Sequence, residues 1–277
     1  MTLLPLMLWI ALGSVTAGLL GALTGLGGGI VVVPMLTLVF HVDLRYAVGA
    51  SLVSVIATSS GAAAAFVREG YTNIRVGMLL EVATTAGAIA GAYIAGLVST
   101  GAIAVIFGLV LLFSAYRTVR PPEERTTLKS GRWAERFRLG GTYPTPRGEQ
   151  AYAVQRVPLG FGIMLVAGTI SGLLGIGSGV VKVLAMDQAM RLPFKVSTTT
   201  SNFMIGVTAA ASAGVYLGRG YIEPVLALPV MLGVLCGALL GARILPRART
   251  VYLRHVFLVV LVVLGLQMLY EGVTGGI

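Results

Sequence analysis

The sequence predicts an all-α polytopic membrane protein made of two inverted-topology repeats with broken or re-entrant half-helices. Three observations predict it. Of the 277 residues, 56% are hydrophobic and 11% charged, with a mean hydropathy of +0.91. An ordinary soluble domain, with about 25% charged residues, is excluded. Several uncharged apolar stretches reach the 18 residues or more that a spanning helix needs. The chain also matches itself at an offset of 150 residues (168 − 18), without a gap, from Gly18/Gly168 to Ala92/Ala242.

Apolar stretches fall at 3–24, 29–40, 47–67, 76–97 and 101–116, then at 157–174, 179–190, 196–217, 222–242 and 252–270. The first has no Lys or Arg before it and reads as a retained span, since a cleaved signal wants a basic start and a shorter core. Stretches 29–40 and 179–190 are too short for a straight span of about 20 residues, so each reads as a half-helix or re-entrant piece. They occupy equivalent places in the repeat. Leu23, Gly25, Gly27, Gly29, Val31 and Val33 match Leu173, Gly175, Gly177, Gly179, Val181 and Val183, and further on Ser51 matches Ser201 and Thr58 matches Thr208. Single Gly matches mean little in membrane helices; the ungapped register over about 75 positions carries the inference.

Charge sets the orientation. Segment 117–156 holds nine basic residues (Arg117, Arg120, Arg125, Lys129, Arg132, Arg136, Arg138, Arg147, Arg156) and is expected on the cytoplasmic side. Counting outward through the spans places 68–75, 191–195 and 243–254 inside as well. Seventeen of the 20 basic residues then lie on one side, with Arg45 and Arg219 outside and Lys182 in the membrane. Equivalent loops fall on opposite sides, which is the inverted arrangement, and both termini fall outside. The expected organisation is a first repeat (1–117), a basic cytoplasmic linker (118–156) and a second repeat (157–277). The linker, with little helical periodicity, reads as a solvated connection that fixes orientation; a lipid-headgroup role for Arg132, Arg136 and Arg138 is the weaker reading. The net charge of +10 is thus loop charge, and no nucleic-acid partner is expected.

Chemistry concentrates at the two glycine clusters. Thr24-Gly25-Leu26-Gly27-Gly28-Gly29 and Leu174-Gly175-Ile176-Gly177-Ser178-Gly179 each end one helix and begin a short one. Unwound backbone at membrane depth must be satisfied by protein, water or ligand. A half-helix starting there aims its positive end inward, as an anion site would; the plainer reading is that the glycines only permit close packing. Lys182 stands where the first repeat has Val32, far from any loop, and a lysine there is costly enough to imply function. Its other reading is snorkelling or a pairing with Asp187, at a poor helical spacing. Ser51, Ser201 and Asn202 are candidate donors to anion oxygens or, equally, glue between helices. The candidate site is therefore Thr24, Gly27, Gly28, Gly29, Ser51, Gly177, Ser178, Gly179, Lys182, Ser201 and Asn202. Glu81, whose repeat partner is Met231, is either a proton-coupling group or an acid paired with a neighbour. No catalytic motif is present, and neither a cofactor nor an enzymatic activity is expected. A lone Cys236 and two histidines, His41 and His255, disfavour a Cys/His metal site.

The pattern GLLGALTGLGGGIVVVPML followed by AVGASLVSVIATSSGAAAAF, echoed by GTISGLLGIGSGVVKV and VSTTTSNFMIGVTAAASAGVYL, resembles the TauE/SafE family of sulfite exporter-like permeases of bacteria and archaea. The resemblance covers both repeats. It implies a secondary transporter in a prokaryotic plasma membrane that moves small sulfur-containing anions, such as sulfite or organosulfonates, by alternating access and often outward. Pro34 faces Leu184 across the repeat, so the halves are not equivalent. A cysteine-relay thiosulfate carrier is disfavoured by the single Cys236. Two rivals stand beside this expectation: a cation or metal permease using Glu81 and Asp187, and an intramembrane enzyme acting on an anionic substrate. The expected partners are a small anion, the bilayer and a coupling proton or cation; the oligomeric state is not legible.

Overall fold

A computed structural model describes residues 3–24, 28–68, 70–119, 130–145, 148–244 and 250–275. The described residues are almost wholly helical. The first half contains α1 (Leu3–Thr24), a short α2 (Gly29–Pro34) continued by a wide π turn (Met35–Val39), α3 (Leu44–Arg68), α4 (Ile74–Ala95) and α5 (Thr100–Val119). After a short helix α6 (Arg132–Arg136) and a hairpin, β1 (Gly141–Thr145) with β2 (Gly148–Tyr152), the second half repeats the series. It comprises α7 (Val157–Leu174), α8 (Gly179–Leu184) with its π turn (Ala185–Ala189), α9 (Phe194–Gly218), α10 (Pro224–Ile244) and α11 (Thr250–Thr274). Helices suit such a chain because they satisfy every backbone donor and acceptor within the segment.

The 150-residue offset holds to the level of single turns. Both π turns end on a residue with positive φ, His41 at 51° and Arg191 at 59°. Each is closed by equivalent backbone bonds, Phe40 N–H to Met35 O and Val42 N–H to Leu36 O in one half, Met190 N–H to Ala185 O and Leu192 N–H to Met186 O in the other. Gly70 and Gly220, which lead into α4 and α10, share φ values of 76° and 75°. Where the sequence predicts one continuous short piece at 29–40 and 179–190, the structure divides each into an α turn and a π turn. Such wide turns recur at functional sites, and here both lie directly after the glycine breaks.

Among the described residues, four helices are long and apolar enough to cross a membrane: α4, α5 through Arg117, α7, and α10 through Gly241. Helices α3 and α9 are equally long but carry rows of Ser and Thr, and they sit in the middle of the bundle, against each other and against α10 and α4 respectively. Apolar side chains such as Leu8, Trp9, Val82, Leu97, Leu239 and Val263 remain exposed on the outside, as a lipid-facing surface requires.

Glycine stripes set the outer contacts. A Cβ at Gly91 or Gly172 would run into the carbonyl oxygens of Thr169 and Ala88, so the backbones of α4 and α7 touch. The contacts advance together, Thr84 with Gly168 and Ala88 with Gly172, so the two helices are parallel. Helices α1 and α10 are parallel in the same way, with Ala11 against Gly233 and Val15 against Gly237. By contrast α5 and α11 are antiparallel, with Gly101 against Gly272 and Gly108 against Gly265.

The linker differs from the expected solvated connection. Residues 130–145 and 148–156 fold, and Ala134, Leu139, Tyr152 and Val154 are buried with Val76, Met186 and Met190. Asn73 is the hub. Its Oδ1 caps α4 by accepting from Val76 N–H at 3.0 Å, its Nδ2 donates to Leu139 O and to the Tyr152 hydroxyl at 2.8 Å each, and its own N–H reaches Thr200 Oγ1 at 3.0 Å. Burial pushes the Tyr152 phenol above its ordinary pKa, partly offset by the Asn73 bond. One end of the bundle therefore gathers the loops at 70–73 and 190–193 with the folded linker. The other end gathers Arg45, Arg219 and Tyr221. There Arg219 donates to Ala92 O and Tyr93 O at the end of α4, and Arg45 lies over the Tyr221 ring, 5.7 Å from its centroid.

Candidate functional site

The second break is built by three left-handed residues in a row of five: Gly175 (φ 68°), Gly177 (φ 70°) and Ser178 (φ 44°). Ser178 bears a Cβ in a conformation that glycine prefers, and its hydroxyl holds the turn by donating to Ala167 O on α7 at 2.6 Å. Two further hydroxyls reach backbone carbonyls at the break and at the start of α8, Ser51 donating to Gly175 O at 2.9 Å and Ser201 to Gly179 O at 3.4 Å. The sequence leaves Ser51, Ser201 and Asn202 open between donors to an anion and glue between helices. In the structure as it stands the Ser51, Ser178 and Ser201 hydroxyls each donate to a backbone carbonyl. Asn202 is half-buried on α9 beside Ser201.

The two breaks meet. A Cβ on Gly29 would crowd Ser51 Oγ and lie 3.3 Å from Gly175 O, so α3 carries Ser51 between them. Gly28 caps α2, Gly177 packs against Ile205 and Val55, and Gly179 opens α8. Gly27, with Gly25 and Leu26, lies outside the described residues, as does the Thr24 side chain.

Lys182, one turn into α8, has none of its surface exposed. Its ammonium does not pair with Asp187, whose carboxylate instead accepts from Gln188 Nε2 at 2.7 Å. Lys182 Nζ donates to Thr208 Oγ1 on α9 at 2.6 Å, and Thr208 Oγ1 stands 2.6 Å from Glu81 Oε1 on α4. Thr85 donates to the same Glu81 oxygen at 3.1 Å, while Glu81 Oε2, buried with the rest of this 9%-exposed residue, has no hydrogen-bond partner among the described residues. Three elements thus converge on one chain of polar atoms, Lys182–Thr208–Glu81. Separating a buried pair from water is costly unless the charges face each other with their remaining sites satisfied. Here a single hydroxyl intervenes, and among the described residues two of the ammonium donors are uncommitted and one carboxylate oxygen is open.

Sequence reasoning did not join these residues. It noted Glu81 without a partner and Thr208 only as a repeat match, and the two are 127 positions apart. The signal available was negative: Lys182 and Glu81 are lone membrane charges of opposite sign, and each is replaced in the other repeat by an apolar residue, Val32 and Met231. The equivalent Thr58 hydroxyl turns back to its own helix, at Ser54 O and Val55 O. The polar chain therefore exists once, not twice.

A helical bundle with an apolar exterior, broken helices and a charged network buried among its helices defines a polytopic membrane transporter. Comparison with known proteins agrees. Residues 10–268 match the model of the Sulfite exporter TauE/SafE family, and the chain belongs to that family. It is 29% identical over 264 residues to YunE of Bacillus subtilis (strain 168), a "Probable membrane transporter protein", covering 93% of this chain and 95% of that one. YdhB of the same organism, with the same description, is 24% identical over 254 residues, covering 91% and 96%. A "Probable membrane transporter protein" of Methanocaldococcus jannaschii, MJ0441, is 24% identical over 281 residues, covering 96% of each. No solved structure matches the chain.

Proposed function

We propose that the protein is a secondary exporter of small sulfur-containing anions, such as sulfite or organosulfonates, working by alternating access in a prokaryotic plasma membrane. The observation that carries this reading is the fully buried Lys182, held one turn from a broken-helix start with two donors uncommitted. An oxyanion presents acceptors at the spacing an ammonium and backbone N–H groups can bind together, and its charge offsets the lysine. The substrate would meet Lys182 and the N–H groups that open α8 at Gly179, with those of Gly28 and Gly29 across from them; Ser51, Gly177, Ser178, Ser201 and Asn202 frame that space, and Thr24 and Gly27 belong to the proposed site on sequence grounds alone. Because Lys182 has no exposed surface, a substrate reaches it only when helices part, which is what alternating access supplies. A thermal-shift screen with sulfite, sulfoacetate, taurine, phosphate and divalent cations tests the reading. Sulfur oxyanions are expected to raise the unfolding temperature, a hundredfold excess over Kd being worth about 2.7 kcal/mol. Stabilisation by cations alone would sink the proposal.

The same reading takes the repeats as inverted, with the linker cytoplasmic and both termini outside. Parallel packing of α4 on α7 and of α1 on α10 supports this, because equivalent helices of the two halves then point oppositely if α1 and α4 do. After Cys236→Ser removes the native thiol, Glu149→Cys and Glu223→Cys, both at exposed positions, are expected to react with an impermeant maleimide from opposite faces of oriented vesicles. Labelling of both from one face would refute the inversion.

A further inference from the structure

The anion reading leaves Glu81 without a task. In the structure as described, Lys182 and Glu81 sum to zero charge. Adding one anion leaves an excess negative charge in a region of low dielectric, where an uncompensated ion is costly. Something must restore neutrality, and the surrounding groups are few. Helix α7, which packs on α4, has no ionisable residue along its length. Helix α9 offers only Lys195 and Tyr216; Lys195 lies over the Tyr71 ring at one end of the bundle and Tyr216 donates to Leu173 O toward the other. Helix α8 offers Lys182 itself, the π turn that continues it offers Asp187, whose carboxylate accepts from Gln188 Nε2 rather than joining the Lys182–Thr208–Glu81 chain, and α4 carries, besides Glu81, only Arg75 and Tyr93 at its ends. Glu81 is the one group in the network able to change its charge by taking a proton.

The hydrogen-bond geometry accommodates that change. Thr208 Oγ1 stands 2.6 Å from Glu81 Oε1 and 3.0 Å from Met204 O, and its single proton can serve either. With Glu81 ionised, the hydroxyl donates to the carboxylate while its oxygen accepts from Lys182. With Glu81 protonated, the carboxyl donates to Thr208 and the hydroxyl turns to the Met204 carbonyl. The lone pair that receives the Glu81 proton is freed when Lys182 turns to an anion. The open Oε2 gives the incoming proton a second place to reside.

We propose that Glu81 is the coupling-proton site of this transporter: each singly charged anion taken by Lys182 is accompanied by one proton that stays on Glu81, the two events being linked through the hydrogen bonds of the Thr208 hydroxyl. The proposal rests on the anion reading of Lys182. It makes the loaded site neutral, so a monovalent anion and its proton cross together without moving net charge.

The test uses the purified full chain in weakly buffered detergent, with methanesulfonate as probe because its charge does not titrate and any proton taken up belongs to the protein. Wild type is expected to take up about one proton per anion bound, with affinity falling about tenfold per pH unit on the alkaline side. Glu81→Gln is expected to bind with no proton uptake and no pH dependence. Binding by wild type without proton uptake, or uptake unchanged in E81Q, overturns the coupling and leaves the anion reading standing. Failure of wild type to bind methanesulfonate, sulfite or sulfoacetate overturns both. Should E81Q not fold, infrared difference spectra of wild type decide: a protonated-carboxyl band appearing when methanesulfonate binds supports the proposal, and proton uptake without that band overturns it.

Discussion

Lys182→Met is expected to remove sulfonate binding and flux in proteoliposomes. Charged hydrogen bonds contribute about 1.5–3 kcal/mol each, so the loss corresponds to roughly 10- to 150-fold in Kd for a single bond, and more if both uncommitted donors engage the ligand. Methionine keeps the length and apolar stem of lysine, so packing in the α8 turn is preserved. The variant nevertheless strips the buried Glu81 carboxylate of its opposite charge, and breaking a buried pair from one side costs about 3–5 kcal/mol. Loss of transport could therefore reflect lost fold. The double variant Lys182→Met/Glu81→Gln separates the two effects: it should recover thermal stability toward wild type while leaving sulfonate binding absent. Binding and flux unchanged in K182M would remove the lysine from the site.

Gly172→Leu is expected to be the most damaging substitution for folding. A Cβ at Gly172 would meet the Ala88 carbonyl oxygen and carbon and the Ala92 nitrogen, all backbone, and backbone on a neighbouring helix cannot swing aside as a side chain does. Overpacking of this kind costs about 3 kcal/mol or more, since α4 and α7 would have to separate along their length. Monodisperse yield in detergent and the unfolding temperature should both collapse. Gly162, ten residues earlier on the same helix, has nothing within 4 Å of a Cβ. Gly162→Ala should be neutral or gain about 0.5–1 kcal/mol, because alanine is the better helix former. Equal behaviour of the two variants would refute the account of the α4/α7 contact.

The helices were largely legible because lipid leaves a chain few options. Expected spans at 47–67 and 196–217 correspond to Leu44–Arg68 and Phe194–Gly218, and the breaks lie where the glycine clusters stand. The internal repeat was visible because glycine at a backbone contact tolerates no substitute, so Gly87, against Leu165 O, matches Gly237, against Val15 O. The hairpin of the linker was not visible. Its two strands are five residues each, and what fixes them is burial of Tyr152 and Leu139 against residues remote in sequence. The partner of Lys182 was hidden for a related reason. The cost of a buried charge can be read from one helix, but what relieves it comes from another, and the nearest acid in sequence, Asp187, was the wrong one. The serines illustrate the converse: hydroxyls near a glycine break read from sequence equally as ligand donors or as glue, and in the structure Ser51 donates to a carbonyl of the break itself while Ser178 and Ser201 donate to carbonyls of α7 and α8.

The polar chain through Lys182, Thr208 and Glu81 has a counterpart of Val32, Thr58 and Met231, and this unevenness bears on how the molecule cycles. Two identical halves related by inversion would exchange places between the outward-facing and inward-facing forms, and those forms would be mirror partners of equal free energy. On the proposed alternating-access reading, with charge in one half-site only, the exchange is no longer between equals. One form would open against an ionic lock, the other against apolar side chains. The resting population would then lean toward one face of the membrane before any substrate arrives, the weight of that lean set by two side chains.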